Sequence, residues 1–134
     1  RVPDVNERSK LLIVEDDWLN QLAYKGVLAK IYDIIICGDD IEFYAALKQH
    51  AYDLFIIDLA LDCEKNGIDL IKELRQMDAY KDTPILVVTA YAFNTDRETS
   101  MDAGATDFIN KPFENKKLLE AINRYIKASR AIIN

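Results

Sequence analysis

Residues 10–17 read KLLIVEDD: the apolar run Leu11-Leu12-Ile13-Val14 passes, with no turn residue between, into the three acids Glu15, Asp16 and Asp17. A strand covered by helices on both faces has no polar side, so an unbroken apolar run is the mark of a buried parallel strand. Its sharp acidic end predicts a strand over Lys10–Glu15 that stops at a polar edge. The same pattern recurs outward from there. Asp33–Cys37 (DIIIC), Asp53–Asp58 (DLFIID), Thr83–Thr89 (TPILVVT) and Asp107–Asn110 (DFIN) all read as short buried strands.

The segments between them carry helical spacing. Leu19, Leu22, Ala23, Val27 and Leu28 predict a first helix, with Gly26 a mild weakness in it. Gly38 and Asp39 read as turn and cap before a second helix over Ile41–His50, whose apolar positions are Ile41, Tyr44, Ala45 and Leu47. A loop through Asn66 and Gly67 leads to a third helix over Ile68–Met77. A short helix around Asp96–Ala103 and a last one from Asn115 to near Ala128 complete five βα units. Apolar strands alternating with amphipathic helices imply an α/β fold: a doubly wound (βα)5 sandwich around a five-stranded parallel sheet. In such sheets the ligand crevice lies beyond the carboxyl ends of the strands. One domain is expected over residues 10–129, with tails at 1–9 and 130–134.

A net charge of −6 repels phosphate backbones, which argues against nucleic acid as a direct partner. Cys37 and Cys63 lack metal-ligand spacing and read as reduced thiols. No apolar run approaches the roughly 20 residues of a membrane helix, and the polar start is unlike a signal peptide. A soluble, cytoplasmic domain is the expectation. The first residue is Arg1, not methionine, so the chain is open to being a segment of a longer one.

The carboxyl ends of the strands collect Glu15, Asp16, Asp17, Asp58, Thr89 and Lys111. Carboxylates sharing a crevice repel one another unless a cation neutralises them, and an all-oxygen set suits magnesium. A lysine and a threonine hydroxyl facing the same point can bind phosphoryl oxygens. That is an anion site built over a metal site.

This set resembles the receiver domains of response regulators. The resemblance runs from about Lys10 to Ala128, carried by LLIVEDD (11–17), LFIIDLAL (54–61), ILVVTA (85–90) and GATDFINKPF (104–113). It implies the flavodoxin-like strand order 2-1-3-4-5. The family's acidic pair falls on Glu15 and Asp16, leaving Asp17 peripheral. Asp16 is then a direct magnesium ligand and Glu15 one through water, while Asp58 is both ligand and phosphorylated nucleophile and Ala60 adds its carbonyl. Thr89 takes the place of the switch hydroxyl, Lys111 that of the phosphoryl-pairing lysine and Phe108 that of the aromatic switch; Lys111-Pro112 is expected to be a cis peptide. The implied reaction is magnesium-dependent transfer from a phosphohistidine to Asp58. Its donor is a sensor histidine kinase or a histidine phosphotransfer protein. The product reshapes a surface for an unknown downstream protein, or for a phosphorylation-dependent homodimer.

The chain departs from many relatives in the loop Leu59–Gly67, which has no proline and is one residue longer, with acidic Asp62 and Glu64 beside the site. Ala60 cannot position a water through its side chain, and Tyr91 is bulky enough to shield a phosphoryl group; slow self-dephosphorylation follows. Asn20 resembles a position in receivers attached to hybrid histidine kinases, and reads equally as an exposed helical residue. A pseudo-receiver, an interaction module that takes no phosphate, is the alternative. The intact set of Glu15, Asp16, Asp58, Thr89 and Lys111 weighs against it. A phosphohydrolase would want Asp-x-Asp after the first strand, and a flavin site a Ser/Thr/Gly-rich loop there. Neither is present. His50, the only histidine, has no partner for catalysis.

Overall fold

The computed structural model describes residues 8–90 and 93–133. Five strands, β1 (Lys10–Val14), β2 (Asp33–Cys37), β3 (Leu54–Ile57), β4 (Ile85–Thr89) and β5 (Asp107–Asn110), alternate with five helices. The helices are α1 (Trp18–Leu28), α2 (Asp40–Gln49), α3 (Gly67–Gln76), α4 (Asn94–Ala103) and α5 (Asn115–Ile133). All strand pairs are parallel, in the order β2-β1-β3-β4-β5. The doubly wound five-stranded sandwich expected from the apolar runs is the fold of the chain.

Alternate side chains of each central strand enter opposite halves of the core. Leu11, Ile13, Leu54, Ile56, Leu86 and Val88 pack with Tyr24 and Leu28 of α1 and Leu118, Ile122 and Ile126 of α5. Leu12, Val14, Phe55, Ile57, Ile85 and Val87 pack with Phe43 of α2 and Leu70, Ile71 and Leu74 of α3. Burial of each such side chain contributes about 1.5–3 kcal/mol, so the sheet is held from both faces.

Two helices turn differently from the face that their spacing suggested. In α1 the buried residues are Tyr24 and Leu28, whereas Leu19 and Leu22 are 61% and 48% exposed. In α2 they are Asp40, Phe43 and Ala46, whereas Ile41 is 75% exposed. Each helix carries apolar residues in two overlapping 3.6-residue frames, and the sheet selects one. Tyr24 decides for α1 by stacking on Phe113 with ring centroids 5.3 Å apart.

Helix ends follow side-chain chemistry. Asp39 accepts the Glu42 amide at 2.8 Å, and Asn66 and Asp69 form a reciprocal capping box at the start of α3. Helix α5 continues to Ile133, past the end expected near Ala128. Its last turns are helix formers, and Arg130 reaches back to Ser9 Oγ at 2.7 Å. Half-buried Arg75 donates to the carbonyls of Tyr80, Thr83 and Gly104, tying α3 to the turns around β4 and β5.

Candidate functional site at the carboxyl edge of the sheet

The ladder of the sheet extends one residue past three of its strands, and those residues are the chemical ones. Glu15 N–H donates to Cys37 O at 2.9 Å, Asp58 N–H to Val14 O at 3.1 Å and Lys111 N–H to Thr89 O at 2.9 Å. Glu15, Asp58 and Lys111 are therefore placed by backbone pairing, not by flexible loops. Thr89 is itself the last residue of β4.

Their side chains converge. Lys111 Nζ donates to Asp58 Oδ2 at 2.8 Å and makes a short bond to Glu15 Oε1. Thr89 Oγ1 donates to Asp58 Oδ1 at 2.8 Å, and the Ala60 amide donates to the same oxygen at 3.0 Å. Glu15, Asp58 and Thr89 are 1%, 6% and 2% exposed, so three of the converging side chains are buried at the strand ends. Glu15 Oε2 accepts the Asp17 amide at 3.2 Å. Exposed Asp16 stands at the rim, one carboxylate oxygen accepting the Asp62 amide at 3.0 Å.

The electrostatics follow from burial. Burial pushes the Glu15 carboxyl up, and the Asp58 charge adds to this, against the lowering effect of Lys111 and the Asp17 amide. Burial acts to lower the Lys111 ammonium, but hydrogen bonds to Asp58 and Glu15 outweigh it and the net direction is upward. Among the described residues, three acids thus face one cation, an excess of negative charge. One carboxylate oxygen from each of Glu15, Asp16 and Asp58 lies within 4.8 Å of the others. Hard oxygen donors at this spacing, with surplus negative charge, fit a divalent cation such as magnesium.

All the residues read from the strand ends are thus brought together except Asp17, whose side chain makes no capping bond at the start of α1. Ala60 joins through its amide, and its side chain is exposed. Phe108 is 8% exposed and lies in the core half shared with α2 and α3. The Lys111-Pro112 peptide bond is cis. Tyr91, read as a shield for the phosphoryl group, lies outside the described residues. His50 caps the end of α2 and meets Tyr52 edge to face.

Three features escaped the reading by motif. Gly67 approaches the Asp58 backbone so closely that a Cβ there would lie 2.3 Å from the Asp58 carbonyl oxygen. Trp18, Leu19 and Leu22, following the acidic pair, form an exposed apolar rim on α1. Lys65 bonds Glu73, which Tyr44 also engages, linking the loop after Asp58 to α2 and α3. The Asn66–Asp69 box was a signal for the loop's end; the other contacts join residues far apart in sequence.

Comparison with known proteins agrees with this geometry. Residues 11–123 match the response regulator receiver domain family. The chain is 32% identical over 124 residues to the regulatory protein VanRB of Enterococcus faecalis, covering 92% of this chain and 54% of that one. It is 29% identical over 117 residues to the polar-differentiation response regulator DivK of Brucella anthropi, covering 87% and 94%. It spans about half the length of its larger relatives such as VanRB. Among solved structures, the receiver domain of the sensor histidine kinase PA1611 of Pseudomonas aeruginosa PAO1, with magnesium coordinated in its active-site cleft, superposes with a TM-score of 0.81. Identity there is 28%, over 90% of this chain and 99% of that one. With its fold, its acidic crevice and the family match all in register, the chain belongs to the response regulator receiver domains, the phosphoacceptors of two-component signalling.

Proposed function

We propose that Asp58 takes a phosphoryl group from a phosphohistidine of a sensor histidine kinase or a histidine phosphotransfer protein, in a reaction that needs magnesium. The observation that carries this is the convergence of Lys111 and Thr89 on the two oxygens of Asp58, each at 2.8 Å. A carboxylate oxygen of Asp58 attacks phosphorus as the P–N bond to imidazole breaks. The bonding pair leaves with the imidazole nitrogen, which takes a proton from solvent, and Asp58 becomes an acyl phosphate.

Glu15, Asp16, Asp58 and the carbonyl of Ala60 would hold the magnesium, Glu15 through water. Bound there, the ion neutralises charge on the phosphoryl oxygens. Lys111 Nζ pairs with a second phosphoryl oxygen, and its bond to Glu15 keeps it aimed while Asp58 is consumed. The Thr89 hydroxyl passes from Asp58 Oδ1 to the phosphoryl group. Trp18, Leu19 and Leu22 offer the donor protein an apolar landing beside the site.

The switch works by population. Thr89 already reaches Asp58, and Phe108 is already packed inward. The phosphoryl group, which leaves the side chain with roughly two negative charges where the carboxylate had one, stabilises this arrangement against one with both side chains turned out. The face of α4, β5 and α5 then meets a downstream protein or a second copy. Ala60 leaves no side chain to position an attacking water, so the acyl phosphate hydrolyses slowly. A cytoplasmic receiver within or alongside a phosphorelay fits all of these features.

Intact-protein mass after incubation with acetyl phosphate tests the reading. One phosphoryl group is expected, dependent on magnesium and absent in Asp58→Asn. No adduct from acetyl phosphate or from any phosphohistidine donor would replace this reading with that of a pseudo-receiver.

A further inference from the structure

We propose that Lys65 is a positioning residue for the acidic end of the site: it clasps the loop after Asp58 so that the loop's backbone fixes Asp16. The proposal rests on the magnesium reading above. Residues 59–66 leave β3 with no proline to stiffen them, carry two acids of their own, Asp62 and Glu64, and bring the Asp62 backbone against the Asp16 carboxylate. Like charges so placed push the loop outward. Lys65 is the only lysine or arginine between residues 59 and 71.

Its contacts run in three directions. The Lys65 amide donates to Asp40 Oδ2 at 3.3 Å, and Asp40 is a buried residue of α2. The Lys65 ammonium donates to Glu73 Oε1 of α3 at 2.5 Å and stands 5.3 Å from the centre of the Tyr44 ring. Tyr44 closes the triangle with a short bond to the other oxygen of Glu73. The Lys65 carbonyl accepts the Cys63 thiol at 2.8 Å. Three residues back along the held loop, the Asp62 amide donates to Asp16 Oδ2 at 3.0 Å. Asp16 is exposed, so this bond limits the angles at which its other oxygen meets a cation. Bonds to Glu73 and Tyr44 raise the Lys65 ammonium above its ordinary value, so it is charged at neutral pH.

The test is magnesium affinity, followed by Trp18 fluorescence and by calorimetry, beside the thermal midpoint of each variant. Lys65→Met keeps the stem and removes the charge; Glu73→Gln removes the clasp's anchor; Asp62→Pro removes the amide that holds Asp16. Asp62→Pro, which loses the bond made directly to a metal ligand, is expected to weaken magnesium binding about tenfold; Lys65→Met, one contact further out, is expected to weaken it about three- to fivefold, and Glu73→Gln to weaken it in the same direction. In the Asp62→Pro background, Lys65→Met should add under about twofold, since the route to Asp16 is already cut. Arg130→Ala, which loosens the far end of the molecule, should lower the midpoint and leave affinity unchanged. Wild-type affinity in both Lys65→Met and Glu73→Gln, whatever the midpoint does, overturns the proposal. So does an undiminished effect of Lys65→Met in the Asp62→Pro background. If the wild-type protein itself gives no magnesium response, the magnesium reading fails and the clasp role falls with it.

Discussion

Two glycine-to-alanine substitutions should have opposite outcomes, although helix propensity favours both. Alanine is preferred over glycine in a helix by about 1 kcal/mol. Gly26 lies in α1 with nothing among the described residues within 4 Å of a Cβ built on it, so Gly26→Ala should raise stability by roughly 0.5–1 kcal/mol. Gly67 opens α3 against the carboxyl end of β3. A Cβ there would sit 2.3 Å from the Asp58 carbonyl oxygen, 2.8 Å from Leu59 Cα and 3.0 Å from the Asp58 carbonyl carbon.

All three obstacles are backbone atoms. Carbon and oxygen in ordinary contact stand about 3.3 Å apart, so roughly 1 Å must be found by moving α3 or the Asp58 main chain. Overpacking of this kind costs about 1–3 kcal/mol, which exceeds the propensity gain. Gly67→Ala should therefore be less stable by about 1–2 kcal/mol. Because the moving atoms belong to Asp58, the proposed nucleophile, and a misplacement near 1 Å can cost about 100-fold in rate, phosphorylation should slow about 10- to 100-fold. Urea unfolding followed by far-UV circular dichroism gives the first number, and the rate of mass gain with acetyl phosphate the second. A Gly67→Ala protein as stable as wild type and phosphorylated at its rate would show that neither the close approach nor its effect on Asp58 matters.

Removing the cation from the crevice should be costly in a way that magnesium repairs. Lys111→Met leaves Glu15 and Asp58 buried with like charge, which should lower stability by about 2 kcal/mol or more at neutral pH, and saturating magnesium should shrink the loss; denaturant midpoints with and without the ion check this. Alkali should unfold the protein through buried acids that prefer to stay neutral. Burial, assisted by Glu42 and Asp39, pushes the Cys37 thiol up from 9.0 to about 12, and burial, assisted by Cys37 and Tyr80, pushes the Tyr52 phenol from 10.0 to about 12. Both folded-state values lie above the unfolded ones, so their contribution is complete below about pH 9 and is lost as pH rises toward 12. Urea midpoints across that range should fall, and more shallowly in Cys37→Ala. Arg130→Ala, which loses the bond to Ser9 Oγ, should cost about 1 kcal/mol by urea unfolding with phosphorylation unchanged.

The βα order, the parallel sheet and the strand-end residues were legible in the chain alone, because a strand buried on both faces must be apolar throughout and must stop where it turns polar. Glu15, Asp58, Thr89 and Lys111 were legible for that reason: position in the strand sets position in the crevice, and ladder hydrogen bonds carry three of them there. Asp39 and Asn66 were legible as caps or turns from local chemistry. Which face of α1 and α2 is buried was decided only in three dimensions. Leu19, Leu22 and Ile41 satisfy helical periodicity as well as Tyr24, Leu28 and Phe43 do, and only the position of the sheet and of Phe113 separates the two frames. The same holds for Gly67, whose need for a bare Cα comes from a backbone met across a loop, and for Lys65, Glu73 and Tyr44, whose contact joins two helices and a loop. Spacing along the chain records local geometry and the period of burial; contacts between distant segments exist only once the sheet has set the helices side by side.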